Sequence, residues 1–238
     1  MVSLITGPKL GGLLAGGLGA VAPPLTGLDA RWRADTGVTE AGTGVSSWVD
    51  MIGSFDMVQG TDANRPALVT GVINGQPVIR FTRANTDFLT QATGPTGIAQ
   101  PYAIVAVLAH TASSGVAQWL CSAAGGVSFR NIGFTNDDKP RMFAGASFND
   151  DVALAANFHS FIGIFNGASS EIFIDNTSVV TGDNGGGSSE TGFTVGGGNN
   201  SGADPFGGDL AEVLFYDHAL DASERTALDS YVAARYGI

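Results

Sequence analysis

Two carboxylates on one predicted strand are the first candidates for catalysis in this chain. Glu171 and Asp175 lie at the two ends of Glu171-Ile-Phe-Ile-Asp175, an apolar stretch with the pattern of a β-strand. Paired carboxylates cleave glycosidic bonds, and a retaining mechanism requires them to be about 5 Å apart. At the rise of a strand, these two groups are about 13 Å apart. The spacing predicts that they are not a catalytic pair, and we expect the chain not to be an enzyme.

The residues that most often bind zinc or act as nucleophiles are scattered. His110, His159 and His218 lie on separate predicted elements, without the close spacing of a zinc site. Cys121 is the single cysteine, so the chain forms no internal disulfide. A small buried hydrophobic residue beside Trp119 is the simpler interpretation of Cys121.

Calcium is a candidate cofactor, because the chain is acidic and carries oxygen ligands on predicted loops. Solvated turns are the alternative, since the spacing of these ligands matches no defined calcium loop. The candidate ligands are Asp137, Asp138, Asp150 and Asp151, with Asn149 and Asp204 on similar loops.

A loop near the C-terminus combines the side chains from which sugar sites are built. Amides and carboxylates fix sugar hydroxyls, and an aromatic ring covers an apolar sugar face. The alternative is that the polar residues only make turns and that Phe206 caps the core. The candidates are Asn199, Asn200, Asp204 and Phe206 on this loop, and Asn131, Asn136 and Asp137 on loops that would have to share its rim.

The composition favours a β-protein with many turns. Of 238 residues, 44% are hydrophobic, 14% are charged and 35 are glycine. Low charge with abundant glycine suits short strands joined by tight turns. The net charge of −11 would repel phosphate backbones and anionic lipids, so nucleic acid is not an expected partner. The apolar runs are also too short and too rich in glycine for a membrane span.

The order of predicted elements indicates an all-β sandwich of two antiparallel sheets with one C-terminal helix. Residues 102–109 are apolar throughout, as in a central strand, and residues 158–165 and 171–175 predict a hairpin. Simple alternation in the last strand places Ala211, Val213 and Phe215 on one face, opposite Leu210. After it, Asp221 and Glu224 predict a capping box, and Gly237 ends the helix.

Residues 1–27 differ from everything after them. They contain one charged residue, Lys9, and alternate leucine with glycine. The late position of Lys9, and Pro23 after the small residues 20–22, argue against a secretory signal. We predict an extended apolar docking arm over residues 1–27 and one domain over residues 28–238. The docking side chains are Leu4, Ile5, Leu10, Leu13, Leu14 and Leu18.

Both ends of the domain resemble one family. Residues 208–216 read Gly-Asp-Leu-Ala-Glu-Val-Leu-Phe-Tyr, and a helix ending in Tyr-Gly-Ile follows them. The segments 28–35, 45–50, 64–66 and 75–81 occur in the matching order. Residues 28–238 thus resemble concanavalin A-like, or laminin G-like, jelly-roll domains. The resemblance implies a jelly-roll sandwich and leaves the function open, because that fold carries lectins, glycosidases and structural modules.

Three functions from different classes remain. The first is a virion or particle surface protein, such as a phage decoration protein, head fibre or tail component. It would assemble in the host cytoplasm, form a homo-oligomer, dock on capsid or tail proteins through its arm, and display the sandwich to surface polysaccharides. The second is a secreted or cell-surface carbohydrate-binding lectin, and the third is a glycoside hydrolase. We expect the first, because of the arm and the lack of a convincing signal peptide.

Overall fold

The computed structural model describes residues 21–95, 98–112, 115–125, 130–187 and 191–238. The docking side chains of the predicted arm, from Leu4 to Leu18, lie outside these ranges. Short 3-10 turns occur at Asp62–Asn64, Arg83–Asn85 and Gly167–Ser169. In chain order, the strands and helix of the described residues are β1 (Leu28–Arg33), β2 (Val38–Ala41), β3 (Gly44–Trp48), β4 (Met57–Val58), β5 (Ala67–Ile73), β6 (Gln76–Phe81), β7 (Leu89–Gln91), β8 (Tyr102–His110), β9 (Gln118–Ser122), β10 (Asn131–Phe134), β11 (Pro140–Phe143), β12 (Ser147–Asn149), β13 (His159–Phe165), β14 (Ser170–Ile174), β15 (Thr177–Gly182), β16 (Phe193–Val195), β17 (Gly208–Tyr216) and α1 (Ala222–Tyr236).

The strands form two antiparallel sheets. Sheet A has the order β15-β14-β13-β8-β17-β6-β5, and β1 also pairs with β17. Sheet B has the order β12-β11-β10-β9-β16-β7-β4-β3-β2. The prediction of a two-sheet antiparallel sandwich with one C-terminal helix is confirmed. Its continuous apolar strand, β8, lies in the middle of sheet A between β13 and β17, and β13 pairs with β14 as the predicted hairpin.

The hydrophobic core lies between the two sheets. Successive side chains of β8 point to opposite faces, so Ile104 and Leu108 enter this core while Val105 and Val107 face away from it. Sheet B contributes large side chains such as Phe134 to the same core. Burying each of these side chains stabilises the fold by about 1.5–3 kcal/mol.

Helix α1 forms a third layer on the outer face of sheet A. Its buried residues are Leu228, Tyr231, Val232 and Tyr236, at helical spacing. The Asp221 side chain accepts hydrogen bonds from Ser223 N and Glu224 N, and Glu224 completes the predicted capping box. Gly237 ends the helix in the left-handed conformation, at a φ of 73°.

The alternation predicted for β17 is interrupted by a bulge. The register with β8 shifts between Leu210 and Glu212. Leu210 therefore joins Val213 and Phe215 in the core, and Ala211 faces the helix side. The prediction that Ala211 shares a face with Val213 was wrong, because an extra residue in one strand shifts the alternation that precedes it.

A buried polar network fixes α1 to sheet A. The fully buried Glu212 accepts a hydrogen bond from Arg31 Nε at 2.6 Å. The hydroxyls of Tyr231 and Tyr236 each donate to Glu212 Oε2 at 2.7 Å. Burial and the neighbouring Glu212 carboxylate raise the pKa of Tyr231 to about 12. Every charge in this network therefore has a partner, as a buried ion pair requires.

Candidate functional site

A cavity of about 590 Å³ opens at one end of sheet A. Its lining comes from residues 80–84, residues 109–112, Gln118, Ala156 and residues 207–209. This volume lies within the range of about 300–1,000 Å³ that is usual for small-molecule sites. The cavity is therefore our candidate site.

Three neighbouring strands bring the lining together. Gly208 at the start of β17 pairs with Phe81 at the end of β6 and with His110 at the end of β8. Gly208 has a φ of 149°, and an added Cβ would lie 2.3 Å from the carbonyl oxygen of Ala109. This close approach requires glycine, and it leaves part of the cavity floor without a side chain.

One wall of the cavity is an arginine–aspartate pair. Arg80 Nε and Nη2 donate to the two carboxylate oxygens of Asp209 at 2.7 and 2.8 Å. Hydrogen bonding to Asp209 raises the pKa of Arg80. The Arg80 side chain is 48% exposed and that of Asp209 is 12% exposed. The pair is thus held in place while donors and acceptors remain available to a bound hydroxyl.

His110 is a neutral group in the lining. Its ring stacks on Phe134 at 4.6 Å, and its Nε2 lies 3.7 Å from Asp138 Oδ1. Burial lowers the pKa of His110, so the imidazole is uncharged at neutral pH. Its Nδ1 has no hydrogen-bond partner among the described residues. Beside it, the Gln118 side chain accepts from Gly207 N at 2.8 Å and supports the rim.

The predicted sugar loop, residues 199–206, precedes the cavity residue Gly207, but the side chains of Asn199 and Phe206 have partners outside the cavity lining. Asn199 Oδ1 accepts from the backbone N and the hydroxyl of Ser201, and so closes its own turn. Phe206 is fully buried and packs on Phe81 and Phe134. Both placements match the alternative in which the loop makes turns and Phe206 caps the core.

The other predicted sugar contacts are spread over two sheet ends. Asn200, Asp204, Asn136 and Asp137 are exposed. Asn131 is buried on β10, and its Oδ1 has no partner within the described part of the chain. None of these residues lines the cavity.

The predicted calcium ligands are not gathered into a site. Asp138 faces His110, and Asp150 Oδ1 accepts from the backbone N of Asp151. Within residues 21–238 as described, no group of three or more His, Cys, Asp or Glu could hold a metal ion. The same residues contain no helix long and apolar enough to cross a membrane.

Of the two carboxylates considered for catalysis, Glu171 lies near the start of β14 and Asp175 directly follows its end. Glu171 accepts a hydrogen bond from the Ser178 hydroxyl. Asp175 lies 2.6 Å from His159 Nδ1 and accepts from Ser160 N at 2.9 Å. Cys121 is buried, and burial raises the pKa of its thiol. Glu171 and Asp175 thus have polar partners, and Cys121 lies in the core.

The cavity itself was not predicted from the sequence. Arg80, His110, Gln118 and Asp209 belong to four different strands, and no short spacing connects them. The one local signal is the pair Gly207 and Gly208 before Asp209. Glycine at the start of a strand often indicates that another part of the backbone passes close to it.

Comparisons with known proteins identify the fold. No protein-family model and no curated protein matches the chain. Among solved structures, Trypanosoma rangeli sialidase in complex with the inhibitor DANA matches with a TM-score of 0.63 and 13% identity, over 87% of this chain and 33% of the sialidase. Domain 4 of AbnA, a GH43 extracellular arabinanase from Geobacillus stearothermophilus in complex with arabinotriose, has a TM-score of 0.60 and 14% identity, over 85% of this chain and 98% of the domain. An arabinofuranosidase complexed with arabinofuranosyl-alpha-1,2-xylobiose has a TM-score of 0.61 and 16% identity, over 81% and 51% of the two chains.

These similarities correct the expected function. The chain spans about a third of the length of the sialidases that it matches. The expectation of a virion surface protein is wrong, because the matched structures are glycoside hydrolases or a domain of one. The expectation that the chain is not an enzyme is corrected by the same finding. At these identities the similarity shows the fold alone.

Proposed function

We propose that this chain is a carbohydrate-binding β-sandwich of the concanavalin A-like type that acts as the glycan-binding part of a glycoside hydrolase system. One observation carries the proposal. The fold matches 98% of an arabinanase domain whose structure contains arabinotriose, so the shared unit is a whole domain and not a fragment of one. The matches to about a third of the sialidases and half of the arabinofuranosidase are consistent with such a unit within a longer enzyme.

The cavity supplies the chemistry that the proposal needs. Asp209 accepts and Arg80 donates hydrogen bonds at its wall, and Thr82 and Thr111, whose side chains carry hydroxyls, are among its lining residues. Alanines at positions 84, 109, 112 and 156 offer apolar surface for the C–H face of a sugar ring.

The N-terminal arm and the domain boundary at residue 27 belong to this proposal as well. Pro24 O accepts a hydrogen bond from the Tyr216 hydroxyl at 3.0 Å, and Gly27 O accepts from Asp217 N at 2.9 Å. These contacts support a short packed segment just before the domain, to which the apolar residues 1–20 are attached. Docking by the arm and homo-oligomer formation stay predictions.

A glycan screen tests the function. Affinity electrophoresis and a glycan array would include arabinan, arabinoxylan, β-glucan and sialylated oligosaccharides. We expect binding at micromolar to millimolar levels, which corresponds to about −8 to −4 kcal/mol. Absence of binding to every glycan, with the protein shown to be folded by a cooperative melt, would contradict the proposal.

A further inference from the structure

Arg83 differs from the other arginines of the chain in its partners. Five arginines lie within ion-pair distance of a carboxylate: Arg31, Arg33, Arg65, Arg80 and Arg235. Three others lie over aromatic rings: Arg130, Arg141 and Arg225. Arg83 donates to the carbonyl oxygens of Val116 and Ala117, both at 3.2 Å, and has no carboxylate partner among the described residues.

Arg83 belongs to the cavity lining, and its guanidinium has donors to spare. A guanidinium carries five N–H donors, and the two bonds to Val116 and Ala117 leave three of them without a described partner. The fork of Arg80 is already occupied by Asp209. Asp209 already balances the charge of Arg80, so Arg83 is the arginine of the cavity whose charge no described carboxylate balances.

The charge of the lining is unusual for this chain. Arg80 and Arg83 contribute two positive charges, and Asp209 contributes one negative charge. Because His110 is neutral, the lining carries one net positive charge within a protein of net charge −11. A cation that no described carboxylate balances attracts a monoanion at short range, while the net charge of the protein opposes that attraction at longer range.

We propose that this cavity selects glycans that carry a carboxylate, as uronic and sialic acids do, and that Arg83 binds the carboxylate. The inference rests on the proposed function and names its ligand class. The planar guanidinium fork matches a carboxylate through two parallel N–H···O bonds. The Arg80–Asp209 pair and the threonine hydroxyls then contact the sugar hydroxyls.

The direct test compares each acid with its own neutral derivative. Isothermal titration would use an oligosaccharide ending in glucuronic acid, 3′-sialyllactose, and the methyl ester of each. We expect at least one acid to bind about tenfold more tightly than its ester, with an advantage that shrinks as sodium chloride is raised. The acid with the larger advantage identifies the source of the carboxylate.

Two variants assign the effect to Arg83. Arg83→Gln keeps a side chain that donates to the neighbouring carbonyls but removes the charge, and we expect it to abolish the advantage of the acid. Its affinity for the ester should fall by less than its affinity for the acid, because the ester carries no charge that could pair with the guanidinium. Arg225→Gln is the charge-matched control, since Arg225 lies at the start of α1 over Phe173, outside the cavity, and it should keep the wild-type preference.

The outcomes separate this inference from the proposed function. Equal affinity of wild-type protein for acid and ester overturns the inference and leaves glycan binding intact. A sulfated sugar that binds as tightly as the carboxylate overturns the assignment to sugar acids. Binding of neither acid nor ester, nor of any other glycan, overturns the proposed function itself. If Arg83→Gln does not fold, the comparison of acid with ester in the wild-type protein still tests whether the site prefers a carboxylate.

Discussion

The Arg80 guanidinium and the Asp209 carboxylate form two parallel hydrogen bonds, at 2.7 and 2.8 Å, in the wall of the cavity. Arg80 is on β6 and Asp209 is directly opposite it on β17, so the pairing of two backbone strands sets the geometry of the two side chains. A polar wall that is fixed before a ligand arrives loses little conformational entropy on binding.

Removing this wall should weaken glycan binding without unfolding the protein. We expect the double variant Arg80→Ala with Asp209→Ala to lose about tenfold or more in affinity, because donors and acceptors for sugar hydroxyls are lost together. The melting temperature should change little, since the pair is partly exposed and such pairs contribute about 0–1 kcal/mol. Titration calorimetry and thermal melts measure the two effects.

Glu171→Gln is the control for that variant. Glu171 pairs with Ile164, near the end of β13. The opposite end of β13, at His159, pairs with Leu108 of β8 near the cavity, so Glu171 lies at the end of the sheet away from the cavity. The control should bind glycans as the wild-type protein does. A double variant with unchanged affinity would place the sugar site elsewhere.

The buried Glu212 should dominate the attachment of α1. Glu212→Leu leaves the buried Arg31 guanidinium without its carboxylate, and breaking a buried pair in this way costs about 3–5 kcal/mol. Adding Arg31→Met should recover part of that loss, because it removes the unpaired charge. Urea unfolding of both variants measures the free energies. Arg33→Ala, at a surface pair, should cost at most about 1 kcal/mol, and an equally small cost for Glu212→Leu would contradict the account.

The capping box should be measurable on its own. Asp221→Ala removes the acceptor for Ser223 N and Glu224 N, and we expect a loss of about 0.5–2 kcal/mol in the free energy of unfolding. Asp229→Ala, inside the same helix, should be neutral or slightly stabilising because alanine favours helices. A cost for Asp221→Ala no larger than that of Asp229→Ala would rule out a role for the cap.

Two histidines should give opposite pH dependences of stability. Burial lowers the pKa of His110, so below the unfolded value of about 6.5 the unfolded chain binds a proton that the folded protein does not. His110 therefore destabilises the fold as the pH falls through about 6.5, and this penalty is absent above that pH. Burial alone would lower the pKa of His218, but hydrogen bonds to Glu224 and Asp217 outweigh it and raise the pKa. Its contribution is present below about pH 6.5 and is lost as the pH rises through the folded pKa.

Free energies of unfolding measured between pH 5 and pH 8 test whether the contributions of His110 and His218 change with pH in opposite directions. His110→Gln should reduce the loss of stability on acidification, and His218→Gln should increase it. The Asp138 carboxylate favours the protonated form of His110 and His159 disfavours it, but burial is the largest influence and lowers the pKa of His110. Identical pH profiles for the wild-type protein and His110→Gln would contradict the assignment.

Sequence patterns over a few neighbouring residues predicted the strands and the helix well, but they did not predict the cavity. The capping box at Asp221 and the central position of β8 follow from residues close together in sequence, and the structure contains both. The bulge beside Leu210 could not be predicted by alternation, because it depends on how β17 pairs with β8. The cavity likewise depends on strand order, which places Arg80 beside Asp209 across 129 residues of sequence.

The sugar-loop hypothesis shows the same limit for single residues. The composition of residues 199–206 suits a sugar site and a tight turn equally well. Asn199 bonds to its own turn and Phe206 enters the core, and only the three-dimensional packing distinguishes these uses. Arg83 was not singled out because its sequence neighbours do not show that a carboxylate partner is missing.

Backbone NMR during a glycan titration tests the central claim most directly. The account predicts that the tightest-binding oligosaccharide from the screen shifts the amide signals of Thr82, Arg83, Thr111 and Gly207, all in the cavity lining. Signals from Asn199 to Ala203 should stay close to their unbound positions, as should those near Glu171. Shifts confined to residues 199–203, with the cavity amides unchanged, would contradict the account.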